Sequence, residues 1–400
     1  MEQITLKDLT EASSPGGSSA LTSVTPLRPA EGEHASVAPA KFVSGERGGG
    51  STFAFETRYE DGQAKHAVLI DSKQSQLNRI EDGVLQAIWD ENPVLARTPR
   101  VEVAYQDRTV TDIGLPHRVF DGHIRAGSVG GVPVTQAEAY RGARNASKAD
   151  ARALLELSPV SLIFGSWDST RASNQARFQS ALTGEIIGFL ADQSGNTAQN
   201  PPRRGGARVD PVGMSVQLSP EDLQSVLDVQ AHEMSPKTVE KIKGEIKKGK
   251  TVSGSSLGLG GVPPTLDALG GVACSRIVRS HVLSFAALRQ MRFGAGPEGD
   301  AACRALLAAF ALNGLARADA ELNLRANCNL VEAGPSSVKL DLRHGQVREL
   351  KPLSIEAADR LLQDAIEQAE KRADIRWVGQ VLHVTGHPKV SQGAVEEGDG

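Results

Sequence analysis

The sequence is poor in aromatic residues: Phe, Trp and Tyr make up 4% of its 400 residues. A broad platform of stacked aromatic side chains is therefore not expected as its means of recognition. Cysteine is scarcer still. Cys274, Cys303 and Cys328 lie far apart, odd in number and without a CxxC pair, which argues against a zinc site and for reduced thiols in the cytoplasm. No apolar run is long enough to cross a membrane, and the opening MEQITLKDLTEASSPGG is acidic and lacks the apolar core of a signal peptide. A cytoplasmic location with no membrane partner is expected.

Familiar catalytic signatures are missing too. GERGGGST (Gly45–Thr52) nearly spells a phosphate loop, but Ser51 stands where the lysine must be, so no cation meets a terminal phosphate and NTP hydrolysis is excluded. The glycine-rich loop still lets Arg47 approach an RNA backbone. His383 and His387 are four apart, yet Gly386 and Pro388 oppose a helix and HExxH is absent, so no metal site is expected. No GxSxG elbow occurs. No cofactor is expected.

Acidic and basic residues are unevenly spread. The net charge of −4 argues against nucleic acid at face value, but residues 1–40 and 393–400 each carry −3, leaving the middle at +2. Within it, KTVEKIKGEIKKGK (Lys237–Lys250) has six lysines against two glutamates, and Arg203, Arg204 and Arg208 form a second basic cluster. Local patches, not the total, attract phosphates.

What is present is most informative at AVLIDSKQSQLNRIEDGVLQAI (Ala67–Ile88). An apolar strand ends at Asp71 and Ser72, either able to cap a helix. Leu77, Ile80, Val84 and Ile88 then recur at helical spacing, and Ser75, Arg79, Asp82 and Gln86 fall on the opposite face. A helix N-terminus dressed with Lys73, Gln74 and Ser75 suits phosphate oxygens. Taken alone, the segment is better explained by an ordinary capped helix with a solvated face.

Around it, residues 1–40 read as a mobile leader rich in Ser, Pro, Gly and Ala. Phe53–Tyr59 and Ala67–Ile70 read as strands joined at Glu60-Asp61-Gly62, followed by helix Ser72–Trp89. Val101–Val110 alternates like a strand, Lys148–Leu157 reads as a short helix, Val160–Phe164 as a buried strand and Asn174–Leu190 as a helix. Residues 192–271 are punctuated by Gly and Pro and read as an insertion. Arg276–Phe293 and Asp300–Ala318 read as amphipathic helices, Ala320–Val331 and Val338–Leu342 as strands, Ile355–Lys371 as a helix and Ile375–Val384 as a closing strand. This interleaving suits an α+β, ferredoxin-like core with large insertions better than a doubly wound sheet.

LIDSKQSQLNRIE resembles the ESxQSxANRLE signature of the backbone subunit of type I-G (formerly I-U) CRISPR Cascade complexes. LIFGSWDSTR with RFQSALTGEIIG, GVPP followed by GGV, SFAALRQMRFG and LRANCNLVE resemble further stretches of that family in the same order, over about residues 40 to 335. The sequence departs from it at Leu77 and at Asn327, where the family has alanine and arginine.

The resemblance implies an RRM-like palm with finger and thumb extensions. The palm is expected from residues 41–191 and 272–392, the thumb from residues 192–271, and an acidic tail from residues 393–400. It further implies a non-catalytic subunit that binds crRNA, stacks head to tail with neighbouring copies, joins other Cascade subunits and presents the guide to target DNA.

Candidate RNA contacts are Arg47, Lys73, Gln74, Ser75, Asn78 and Arg79. Trp167, Ser169, Thr170 and Arg171 are expected in a loop-to-helix anion site, with Arg177 along that helix. Arg289 and Arg292, three apart, are expected to share an exposed helix face, and Arg325 to end a strand. Lys243, Lys247 and Lys248 are candidates for guide or target. The alternative is a metal-independent RNA endonuclease of the same RAMP superfamily. His232 is its best candidate, and Asp168, Asp192 and Asp210 are weighed as acids, a structural role being preferred for all three. A third reading is a generic cytosolic α/β enzyme.

Overall fold

Thr5 and Asp8 cap each other and start α1 (Leu6–Ser13), which satisfies two orphan donors of the helix reciprocally. The computed structural model describes residues 2–43, 51–172, 175–208, 216–257, 259, 262–267, 269–324, 326 and 328–392. After α1 the chain enters β1 (Ala20–Pro29). The hairpin β2 (Phe55–Glu60) and β3 (Gln63–Asp71) turns through Asp61 and Gly62, both at positive φ, as a two-residue turn requires. Then come α2 (Lys73–Trp89), β4 (Arg100–Ala104) and β5 (Thr109–Thr111). α3 (Arg152–Leu157), α4 (Pro159–Ile163), β6 (Ser166–Trp167), β7 (Arg177–Phe178) and β8 (Leu182–Leu190) follow. Further on lie α5 (Pro220–Gln230) and α6 (Pro236–Lys247). β9 (Cys274–Ser284), the single-turn α7 (Phe285–Leu288) and α8 (Gly296–Ala320) come next. β10 (Leu330–Glu332), β11 (Ser337–Asp341), β12 (Val347–Leu350), α9 (Ile355–Ala373) and β13 (Val381–Thr385) follow, before a short helix at Pro388–Gln392.

These elements fall into two units. The larger comprises Met1–Phe42, Phe53–Gln193 and Ala273–Gly400. It is α+β. Its eight-stranded sheet runs β12-β11-β1-β9-β8-β3-β2, with β10 beside β1, and every pairing is antiparallel. Along β9, Ile277, Arg279, His281 and Leu283 are buried and alternate with the more open Val278, Ser280 and Val282. α2 packs on β8 and on α8, and α8 also meets α1 and α9. A second sheet pairs β13 parallel to β4.

The smaller unit comprises Val43–Thr52 and Ser194–Val272. In it α5 packs on α6 around Leu218, Leu223, Leu227, Ile242 and Leu257.

Several elements differ from their sequence reading. Residues 2–29 are built into the fold rather than belonging to a leader: β1 pairs with β9, β10 and β11. Its inward residues are Leu21, Ser23, Thr25 and Leu27, so two small polar side chains hide the alternation. Val160–Phe164 is helical, with Pro159 at the first helical position, where its fixed φ suits a helix. Residues 182–190, expected in a helix, are the interior strand β8, between β9 and β3. There a Cβ on Gly184 would stand 2.1 Å from the His281 ring, so only glycine lets β8 lie against that imidazole. Arg276–Phe293 is a strand followed by one helical turn, and Val101–Val110 is a hairpin. Among the described residues of Ala320–Val331, only Leu330 and Val331 are strand. α8 is buried around its whole circumference instead of amphipathic. It is long and apolar enough to cross a membrane, yet its apolar stretch is entirely buried in the protein, as in a core helix.

Candidate nucleic-acid interface

α2 starts where the sequence places it. Ser72 has extended backbone angles and accepts a hydrogen bond from the Ser75 amide at 3.2 Å. Lys73, Gln74 and Asn78 are exposed along its first turns, Gln74 and Asn78 one turn apart on one edge. Ser75 is buried, and its hydroxyl has no hydrogen-bond partner within the protein, so it cannot be the surface contact expected. Arg79 is partly covered and lies 3.4 Å from Asp82. Behind the first turn, the buried Asp71 carboxylate accepts from Gln76 Nε2 at 2.6 Å. A carboxylate there offsets part of the positive helix end. The exposed donors left at this helix end are the Lys73 ammonium and the neutral amides of Gln74 and Asn78.

Gln74, Asn78 and Arg79 border a groove of about 390 Å³ between α2 and residues Ile113–Pro116. Its wall is held by Arg118, which grips Glu81 with Nε and Nη2 at 2.6 and 2.9 Å and the Gly165 carbonyl with Nη1 at 2.7 Å. Burial pushes the Glu81 carboxyl up to about 7 against the pull of Arg118. Arg118, with φ of 49°, escaped the sequence reading because nothing in HRVF marks it as a clamp.

The second cluster is assembled differently from its expectation. Trp167 and Arg177 lie opposite each other where β6 pairs with β7, with no helix among the described residues between them. The Arg177 guanidinium sits 5.2 Å from the centre of the half-exposed Trp167 ring, a cation–π contact. Arg171 is occupied by the Arg144 carbonyl at 3.1 Å and Asn145 Oδ1 at 2.7 Å. Asp168, weighed as an acid, is buried and paired with Arg144 at 2.9 Å.

The third cluster comes apart. Arg289 ends α7 and donates to the Ala12 and Ser18 carbonyls, while Arg292 lies exposed beyond it. Arg276 and Arg279, three apart on a strand, point to opposite faces. Arg279 is 1% exposed and meets Asp319 at 3.1 Å and Glu332 at 3.3 Å. In the smaller unit, Lys243, Lys247 and Lys248 are exposed on and just after α6. His232 is exposed beside Glu233, and among the described residues no cluster of metal-binding side chains occurs. Arg47, Arg325 and Asp210 lie outside the described residues.

One feature of the sheet was not anticipated. Its open side forms a groove of about 420 Å³ with Arg58, Tyr59, Phe189 and Arg276 on its walls, Arg276 lying over the Phe189 ring at 5.9 Å. Val278-Arg279-Ser280-His281-Val282 held the signal, as period-two alternation with polar residues on the buried side.

Residues 21–193 match the model of the family described as CRISPR-associated protein GSU0053. The match supports a role in CRISPR-Cas. It spans β1 to the end of β8, and so includes both α2 and the Trp167–Arg177 hairpin, and it suggests interaction with other CRISPR-Cas components. No curated protein matches the chain.

Proposed function

We propose that the chain is a non-catalytic backbone subunit of a Cascade complex, holding crRNA along α2 and stacking with further copies while the guide's bases pair with target DNA. The larger unit acts as an RRM-like, ferredoxin-like palm and the smaller as a thumb. The observation that carries this reading is the exposed edge of Lys73, Gln74 and Asn78 at the start of α2. One cation and two neutral donors suit phosphate and sugar, which fix register without reading sequence. A guide whose spacer varies needs that property. The Trp167–Arg177 pair and Arg292 extend the same surface chemistry, and Lys243, Lys247 and Lys248 supply cations from the thumb.

The test is binding of labelled guide RNA over a range of salt concentrations. Lys73→Ala should weaken binding equally for unrelated spacers and lower the log–log salt slope by about one. Asn78→Ala should weaken it without changing that slope. A loss confined to one spacer sequence, or shortening of the RNA, overturns the proposal.

A further inference from the structure

The groove beside α2 differs in chemistry from the helix start that it adjoins. Its ionised side chains are already matched: Arg79 lies 3.4 Å from Asp82, and both carboxylate oxygens of Glu81 accept from Arg118. The Lys73 ammonium stands outside it. A phosphate in the groove therefore meets two carboxylates and no spare cation. No aromatic side chain lines it among the described residues, so a base gains no stacking partner there.

What the groove does offer is two free amides. Gln74 and Asn78 are exposed, and neither side chain has a hydrogen-bond partner among the described residues. Each amide carries two donor hydrogens and an acceptor oxygen. One turn apart, the two repeat that pattern along a single wall. Asp82, one turn beyond Asn78 with its side chain 57% exposed, adds an acceptor. The facing wall is apolar at Ile113, Leu115 and Pro116. Its distance from α2 is held by Arg118, which belongs to that wall and grips Glu81 on the helix. The groove is thus formed before anything enters it, and binding has little protein left to order.

Of the three parts of a nucleotide strand, phosphate and base are poorly matched here and the sugar is well matched. Ribose has an apolar ring and, at its 2′ position, a hydroxyl that both donates and accepts. Deoxyribose keeps the ring and lacks the hydroxyl. We propose that Gln74 and Asn78 read the 2′-hydroxyl groups of the strand lying along α2, so that this groove is where the chain tells RNA from DNA. The proposal rests on the reading of α2 as the helix that holds the guide. Lys73 takes phosphate outside the groove and adds affinity without discriminating between the two kinds of strand. The bases face away, free to pair.

The experiment is titration of the full chain, at one salt concentration, with labelled single strands of one sequence made as RNA, as DNA and as 2′-fluoro RNA. The fluoro sugar keeps the pucker of ribose but cannot donate a hydrogen bond. The unaltered protein should bind RNA about tenfold more tightly than either of the others, the difference expected when one strand makes a hydrogen bond that the other lacks. Gln74→Ala with Asn78→Ala should bring the three affinities within about twofold of one another. Both side chains are exposed and alanine is the better helix former, so the double variant should stay folded, which a melting curve checks. Lys73→Ala should weaken all three strands by the same factor. An RNA preference that survives the double substitution overturns the proposal. Equal binding of RNA and 2′-fluoro RNA by the unaltered protein overturns it too, and leaves the proposed function standing. Binding of none of the strands overturns the proposed function and this inference with it.

Discussion

The imidazole of His281 donates through Nε2 to the Gln76 carbonyl oxygen at 3.1 Å, while the amide of Gln76 donates to Asp71 at 2.6 Å. Because the amide nitrogen is committed to a carboxylate, the oxygen can only accept, and the histidine must carry its proton on Nε2. One chain of hydrogen bonds thus ties the start of α2 to β9 beneath it. Burial, helped by nearby Arg279, pushes the His281 pKa down to about 3. The unfolded chain takes up a proton near 6.5, whereas the folded one does not until about 3. The contribution is complete above pH 6.5 and is lost as pH falls from there towards 3, reaching about 2 kcal/mol by pH 5. Urea melts at pH 7 and pH 5 should show the unaltered protein losing about 2 kcal/mol relative to His281→Gln over that interval. Glu81 acts with the opposite sign, since its raised carboxyl loses stability as pH rises from 4.5 to about 7. The comparison with His281→Gln therefore isolates the imidazole.

Gly184→Ala should be among the most damaging single methyl additions. Its Cβ would meet the His281 ring at 2.1 Å, and neither an interior strand nor a hydrogen-bonded ring can yield cheaply. Overpacking of this kind costs about 1–3 kcal/mol and sometimes more. A midpoint shift in urea of that size is expected; an unchanged midpoint would mean that His281 rotates away, and the pH effect above should then vanish with it.

Arg289 and Arg292 should separate on mutation. Arg289 serves two backbone carbonyls, so alanine there should cost about 1–3 kcal/mol. Arg292→Ala removes an exposed side chain, and the fold should change by no more than about 0.5 kcal/mol. If Arg292 touches guide, its alanine variant loses affinity at constant melting temperature, which calorimetry and RNA titration together would show.

Replacing residues 194–271 with a short flexible linker should leave the larger unit folded with a cooperative melt, because the two units have separate cores. Guide protection from nuclease should weaken and assemblies should become short and irregular by electron microscopy. Full-length regular filaments from the shortened chain would assign assembly to other surfaces.

α2 was legible because Ser72, the apolar spacing of Leu77, Ile80, Val84 and Ile88, and the exposed Lys73 all agree. α9 was legible for the same reason. β1 was not, since Pro26 in a central strand argues against a strand and Ser23 and Thr25 occupy inward positions. Thr25 is satisfied there by Ser336 at 2.7 Å, a partner 311 residues away that no local window contains. β8 and β9 were read as helices because Leu182, Ile186 and Phe189, like Val278, Val282 and Phe285, also fit a helical repeat. Arg279 and His281 on the buried side of β9 removed the apolar alternation that would have decided it. The site followed the same division: Lys73, Gln74 and Asn78 sit on the element that was legible. Arg177 was given a place along a helix, and Arg289 a helix face shared with Arg292, that do not exist.

The Ala191 amide donates to the Ala273 carbonyl at 3.0 Å, so the chain leaves the sheet and re-enters it across a single ladder rung. Closing an interval of this length costs only about 0.6 kcal/mol more for each doubling. The sheet is therefore nearly indifferent to how much polypeptide is spliced in at that rung. Over the history of the lineage, the spliced interval is free to lengthen, shrink or be exchanged while the strands on either side answer to a different selection.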